Sequence, residues 1–326
     1  MRLYLILTAL VLVMFVAALV IGPAGVGPWE SLRALILGDS GPLSLVMREI
    51  RLPRALLAVM IGAALGLAGA AMQGYLRNPL ADPGLIGVSG SAALGAVLSI
   101  QTGLAAVAAL ALPLAALTGA LAGVLCVLAL AGPRGGALTL ILAGIAISAL
   151  AGALTSLVLN LSPNPFAANE IVFWMMGSLA DRSMTHVWIA LPLIVGGALL
   201  LATLSRGLEA LTLGEDAAEA MGINLARMRL VLIFGTAAVV GASTAVAGAI
   251  GFVGLVVPHI LRGFVGARPG RLLWASALGG SVMLLAADIA VRVILPSRDL
   301  KLGVLTALVG APLFLHLIYR TRKTAA

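Results

Sequence analysis

Ten apolar runs follow one another along this chain, at about residues 3–21, 55–72, 85–100, 104–130, 138–161, 187–204, 230–250, 252–265, 272–290 and 304–318. A helix needs roughly 20 apolar residues to cross the hydrocarbon of a bilayer, and most of these runs approach that length. A soluble chain of 326 residues could hide several such runs in a core, but it would need far more charge to cover its surface. Charged residues are only 10% of this chain against 62% hydrophobic, and the mean hydropathy is +1.16. Hydrocarbon offers the backbone no hydrogen-bonding partner, so runs of this length are expected to be helices. The expected fold class is therefore an all-α polytopic membrane protein of about ten transmembrane helices, with residues 1–326 as a single transmembrane domain. The 39 glycines, with abundant alanine, point to helices packed backbone against backbone. A signal peptide is the competing reading of the first run. That run is longer than a usual signal core, however, and no convincing small-residue cleavage site follows it. The single cysteine, Cys126, lies inside an apolar run and reads as a small core residue.

Two places break this pattern. The stretch Arg77-Asn78-Pro79-Leu80-Ala81-Asp82-Pro83-Gly84-Leu85-Ile86-Gly87 packs two prolines and two glycines between two apolar runs. Proline lacks a backbone donor and disfavours helix at the residue before it, so neither run can continue through. Irregular backbone at membrane depth is tolerated where it lines a cavity enclosed by protein. The stretch 247–262 has Gly248, Gly251 and Gly254, then Pro258, and predicts a second interrupted segment broken near that proline. Paired interruptions in the two halves of a chain point to a transporter built from repeats. Helices two to five and seven to ten would be the two halves of an inverted repeat.

Basic residues set the expected orientation. With the N-terminus inside, twelve arginines and lysines fall on the inner side and eight on the outer, which favours both termini in the cytoplasm. Arg48, Arg51 and Arg54 nevertheless cluster outside, and Arg292 lies at the outer end of the ninth run. These four either snorkel to lipid headgroups or form a basic landing site for an acidic external partner. The outer segment 160–186 predicts a helix over 170–179 around Trp174, Met175 and Met176, lying on the membrane or packed between helices. The inner segment 206–229 predicts a helix over 215–221 bounded by Gly214 and Gly222, then a second short helix capped by Asn224 and running to Arg229. Such a pair suits a docking element.

The chain carries no phosphate-binding G-x-x-x-x-G-K-[ST] loop, since Gly132-Pro133-Arg134-Gly135-Gly136 lacks the lysine and hydroxyl. It has no hydrolytic triad and no zinc motif. His186, His259 and His316 fall on different helix ends, so no metal site is expected. His259, beside Pro258, is read as structural, bonding carbonyls freed by the proline. Asp288 is the clear carboxylate within an apolar run, and Arg292 is its natural i,i+4 partner. With no intramembrane proton relay, the energy source is expected in a separate ATPase docked on 206–229.

Several of these stretches resemble the permease subunits of FecCD-type ABC importers. They are Arg51-Leu52-Pro53-Arg54, Met72-Gln73, Asn78 through Ser89, Leu142-Ala143-Gly144, Trp174 through Leu179, Leu213 through Asn224, Gly248 through Arg262, and Gly310-Ala311-Pro312. The resemblance implies ten helices per subunit and a dimer of permeases, most simply two identical copies. It also implies two ATPase subunits, which bind the ATP and magnesium, and a periplasmic substrate-binding protein. The chain itself would bind no cofactor, metal or nucleic acid and would catalyse nothing. By the same resemblance Arg51, Arg54 and Arg292 receive acidic residues of the binding protein. Gly214, Glu215, Asp216, Ala218, Met221, Gly222 and Asn224 belong to the element that couples to the ATPase. Asn78, Pro79 and Leu80 form the inner gate. Ala137 and Leu138 stand at a second gate position that is often hydroxyl-bearing in the cobalamin branch. The expected function is import of a ferric siderophore across the bacterial inner membrane by alternating access. Haem or cobalamin import is the alternative within the family, and an ion-coupled carrier or channel the alternative outside it.

Overall fold

A computed structural model describes residues 1–22, 25–38, 41–108, 110–132, 135–294 and 300–325, without the side chains of 317, 318 and 320–325. Arg134 and Arg298, both part of the charge count, lie outside the described residues, as do the side chains of Arg320, Arg322 and Lys323. Among the described residues all regular structure is helical. The order is α1 (Arg2–Val20), α2 (Pro28–Leu37), α3 (Pro42–Leu45), a π-helical turn (Val46–Arg51), α4 (Leu52–Tyr75), a 3₁₀ turn (Pro83–Ile86), α5 (Val88–Gln101), α6 (Leu104–Val107) and α7 (Ala111–Ala131). There follow α8 (Ala137–Asn160), α9 (Pro165–Met175), α10 (Met184–Ala202), α11 (Ser205–Leu211), α12 (Glu215–Ala220), α13 (Leu225–Ala247), α14 (Val253–Arg262), a second 3₁₀ turn (Gly263–Val265), α15 (Pro269–Ile294) and α16 (Leu302–Ala325).

All ten apolar runs are helical, but they are not ten equal crossings. Seven helices are long and apolar enough to span a bilayer, and three apolar segments, Val88–Gln101, Val253–Val265 and Leu302–His316, are shorter. At 1.5 Å per residue, α5 is about 21 Å long, well under the roughly 30 Å of hydrocarbon. Both α5 and α14 follow an interruption of regular helix. The long run at 104–130 is also divided, into α6 and α7. The helix from Pro42 to Tyr75 is continuous but widens into its π turn just before Pro53. There the missing proline N–H removes one i→i−4 bond.

α4 and α13 form the centre. Buried residues make up 78% of the most apolar window of the helix ending in α4 and 72% of that of α13, against 17% for α1 and 22% for α8. The glycines of α4 explain why it can be surrounded so completely. A Cβ at Gly62 or Gly66 would strike the backbone of Gly280 or Ser276 in α15, and one at Gly69 would strike Gly254 in α14. With little hydrophobic drive between helices in lipid, such close backbone approach supplies the packing. α4 packs chiefly on α15 from the second half, and α13 packs on α7 from the first.

Tyr4 donates to the Arg271 carbonyl, so α1 and α15 start at one face of the bundle. Arg51 and Arg292 bond the end of α1, so α4 starts and α15 ends at the opposite face. The second interruption differs from expectation. α14 runs unbroken through Pro258, and the irregular backbone lies earlier, from Gly248 (φ +72) to Phe252 (φ +68). Pro258 is the sixth of the ten residues of α14, and its missing donor leaves the Gly254 carbonyl without its i→i−4 partner. The proposed second short helix of 206–229 is instead the first turn of the membrane helix α13, capped by Asn224 as expected, and α11 precedes the pair. α9 ends at Met175 rather than 179. Trp174 and Ile171 are buried while Phe166 and Phe173 are exposed, so α9 is both packed and surface-lying.

The collision at Gly69 makes a test. Gly69→Val should destabilise the detergent-solubilised protein by about 3 kcal/mol, read from thermal unfolding. Gly152→Ala, where a Cβ meets nothing within 4 Å, should be neutral or slightly stabilising.

Candidate functional site

The first interruption begins where α4 ends. Arg77 takes φ +48, a left-handed turn unusual for a residue with a side chain, and Asn78 N–H closes back on the Gln73 carbonyl at 3.1 Å. Asn78 Oδ1 then accepts the Leu80 N–H at 2.9 Å, bending the chain around Pro79. Asp82 repeats the device, accepting Gly84 N–H at 2.7 Å to start the Pro83–Ile86 turn. The chain thus re-enters the bundle and turns into α5 at Gly87, which needs its φ of +76. A Cβ at Gly144 of α8 would strike the Leu85 carbonyl, so α8 lies against this re-entrant turn.

The second interruption approaches from the opposite face, and the two meet. Asp82, Pro83, Gly84 and Ser89 from the first, with Ala249 to Phe252 and Gly254 from the second, line a cavity of about 180 Å³. A Cβ at Gly254 would lie 2.6 Å from Pro83 Cγ. The second interruption is also tied to the segment after α9. Ser178 N–H donates to the Ala247 carbonyl at 2.8 Å, and Gly303 N–H, opening α16, donates to the Gly177 carbonyl at 3.2 Å. Trp174 through Leu179, Gly248 and Gly303 therefore form one knot.

The arginines at the Arg51 face are brought together, but they do not point freely outward. Arg54 Nε lies 2.7 Å from Asp288 Oδ1, and Arg292 Nη2 lies 2.6 Å from Asp288 Oδ2. Arg51, only 5% exposed, donates to the carbonyls of Leu19 and Val20 at 2.9 Å. Arg292 Nη1 donates to the carbonyls of Ala18 and Ile21 at 2.8 and 2.9 Å. The last carbonyls of a helix have no partner within it and carry its negative end, so two buried guanidinium groups satisfy the end of α1. Three arginines against one aspartate still leave two positive charges in the cluster. Arg48 is engaged separately with the Leu35 carbonyl. Lipid snorkelling does not describe these contacts, and the expected Asp288–Arg292 pair gains Arg54 as a third member.

At the Tyr4 face, α12 stands between Gly214 (φ +110) and Gly222 (φ +84), both in backbone that side chains resist. Glu215, Asp216, Met221, Gly222 and Asn224 are exposed, while Ala218 is fully buried and its carbonyl accepts Ile223 N–H. Ala218 therefore seats the element rather than presenting a surface. Leu213, 70% exposed beside Gly214, forms with Met221 an apolar pair flanking the acidic turn. It stood in the matched stretch without being singled out, and only its exposure marks it. Glu215 reaches Arg77 at 3.5 Å, which places α12 directly beside the Asn78 turn. Exposed on both sides, that pair contributes at most about 1 kcal/mol.

Arg229 also went unmarked in the sequence. It is buried in the first turns of α13 and donates to the carbonyls of Gly132 and Gly135, in the connection that leads to Ala137 and α8. A polar cavity of about 310 Å³ opens there between Tyr75, Gly135–Ala137, Glu215, Glu219 and Arg229. No group of three or more His, Cys, Asp or Glu suited to a metal occurs among the described residues.

The buried aspartate makes a test. Asp288→Asn strands Arg54 and Arg292 without their counter-charge and should cost about 3–5 kcal/mol in thermal unfolding. Arg54→Gln leaves the Arg292 pair intact and should cost about 1 kcal/mol. Equal effects of the two variants would contradict a shared aspartate.

The sequence pattern of the FecCD transport family matches residues 10–320. The hemin transport system permease of Yersinia pestis is 39% identical over 279 residues, covering 84% of this chain and 83% of the relative. The vitamin B12 import system permease of Salmonella paratyphi A is 37% identical over 320 residues, covering 97% and 94%. Among solved structures, an inward-facing transporter described as of the metal-chelate ABC type superposes with a TM-score of 0.87 at 32% identity, over 98% of this chain and 99% of that one. PsaBC from Streptococcus pneumoniae shares the fold at a TM-score of 0.54 and 17% identity, over 81% and 88%. The re-entrant turns that meet inside the bundle are thus found in a chain that belongs to the FecCD transport family, the permeases of ABC importers.

Proposed function

We propose that this permease carries a ferric siderophore across the bacterial inner membrane, with its Tyr4 face in the cytoplasm. The observation that carries the reading is the meeting of two interruptions, entering from opposite faces, beside a turn in contact with α12. A solute path closed on one side by such a turn suits alternating access. The excess of arginine and lysine at the Tyr4 face supports its cytoplasmic placement, with both termini inside. No bond in the solute need be broken, so the chain acts as a conduit and binds no cofactor of its own.

Energy enters from two ATPase subunits docked on α12, which supply the ATP and magnesium. Leu213 and Met221 provide apolar contact, and Glu215, Asp216 and Glu219 an acidic rim. Asp288, held between two arginines, is poorly suited to relay protons, which favours this source over ion coupling. At the opposite face the two surplus positive charges of Arg51, Arg54 and Arg292 attract an acidic periplasmic binding protein. Arg54 is the member best placed for contact, since Arg51 and Arg292 are held on α1. A second copy of the chain completes the pathway. α8 and the exposed Leu308, Val309 and Leu315 of α16 offer apolar surface for it. Residues 1–326 act as one transmembrane unit.

Ala137 and Leu138, apolar at the mouth of α8, support an iron chelate over cobalamin. Haem or cobalamin import is the second reading, favoured by the two relatives that carry those solutes.

Reconstituted vesicles test the class. Uptake should require the ATPase subunits and ATP on the Tyr4 side, and uptake by this chain alone would overturn the reading. Competition among a ferric siderophore, haem and cobalamin then tests the solute. For coupling, Gly222→Pro forces φ near −65° where the chain has +84°, and should cut uptake more than tenfold while the membrane helices still melt as in wild type. Unchanged uptake would remove α12 from the mechanism.

A further inference from the structure

The last turn of α4 buries an amide that the transport reading leaves without a role. Gln73 is 1% exposed. Its Nε2 donates to the carbonyls of Leu255 at 3.1 Å and Gly254 at 3.4 Å in α14, and its Oε1 accepts Arg262 Nη2 at 3.0 Å. A buried amide needs such partners, because leaving its groups unmet is costly. An α-helix does not normally have carbonyls to spare in its middle. Here Pro258 withholds the N–H that would close on Gly254, four residues earlier, and Gln73 reaches that carbonyl and the adjacent one of Leu255. At Gly254 and Leu255 the donor is Gln73. Its access depends on Gly69 and Gly254, where any side chain would force α4 and α14 apart.

The main chain of the same residue does something different. The Gln73 carbonyl accepts Asn78 N–H, the bond that closes α4 and sets the direction of the Asn78–Leu80 turn. One residue thus grips α14 with its side chain and the turn with its backbone. Arg262, its third partner, ends α14 at the Tyr4 face, next to the exposed Phe264.

We propose that Gln73 is the positioning residue of the gate: by bonding the carbonyl that Pro258 leaves without its i→i−4 partner, it joins α14 and the Asn78–Leu80 turn into one body. The turn then moves when α14 moves, and a displacement at Arg262 reaches the solute path. This rests on reading residues 78–80 as the gate.

Hydrogen–deuterium exchange on the purified full-length chain in phosphatidylethanolamine–phosphatidylglycerol nanodiscs tests the joint without requiring transport. Gln73→Leu should speed exchange about tenfold in both 74–87 and 250–265. Adding Pro258→Ala restores the N–H that closes on Gly254. It should return 250–265 to wild-type protection while 74–87 stays fast, since the joint is still absent. A residue that merely fills space would show no such repair, and that result overturns the proposal. Should Gln73→Leu fail to fold, Gln73→Glu serves. It keeps an acceptor for Arg262 but loses the amide donor to Gly254 and Leu255, so exchange should still quicken in 74–87 and 250–265, and unchanged exchange overturns the proposal. In the complete transporter, Gln73→Leu should raise ATP hydrolysis in the absence of binding protein. If wild type fails to transport, the importer reading fails while the exchange data still decide the joint. If wild type transports and Gln73→Leu exchanges as wild type does, the joint alone is refuted.

Discussion

The close approach of backbones around α4 sets the terms for everything else in this bundle, because hydrocarbon supplies little force to press helices together. Gly62 and Gly66 let α15 lie against α4, and Gly69 admits α14 to the same surface. Dispersion between backbones in contact takes the place of the hydrophobic drive that a soluble core would use. The consequence is geometric as well as energetic. Only at that separation can the second interruption come near Pro83, and only there can Gln73 reach the carbonyls of α14.

Charge is placed with the same economy. Burying a guanidinium is costly unless it is paired and bonded, and the Arg51 face achieves both. The carbonyl end of α1 takes Arg51 and Arg292, and Asp288 takes Arg292 and Arg54. A first helix with little buried surface of its own is thereby fastened to α15 and to the central helix α4. The same cluster keeps a positive surplus, so a structural role and a docking role are compatible there, with Arg54 as the member least committed to α1.

Much of the fold was legible in the chain because each apolar run must be helical in hydrocarbon whatever its neighbours are. The caps at Asn224 and the turn at Asn78–Pro79 were legible for a similar reason, since they are local bonds between residues two or three apart. The break lies at 248–252 and not at Pro258, the conspicuous proline of that stretch. A proline within a helix removes one backbone donor, whereas a residue with positive φ such as Gly248 can end a helix outright. Ala218 was grouped with exposed neighbours of α12, and its burial depends on which way that turn seats on the bundle. Gln73 and Arg229 carried no local signal, since each answers carbonyls on a helix or connection far away in the chain.

The sequence by itself determined that this is a many-helix membrane protein, that two of its helices are interrupted, and which family pattern it carries. Apolar length, proline and glycine decide those matters within a few residues of one another. The tertiary structure alone decided that the interruptions meet, that Arg51, Arg54 and Arg292 turn inward to α1 and Asp288, and that Gln73 bonds a helix 181 residues further along. Those contacts depend on how closely whole helices can approach. That distance is set by side chains on both partners at once, and no single stretch of the chain contains it.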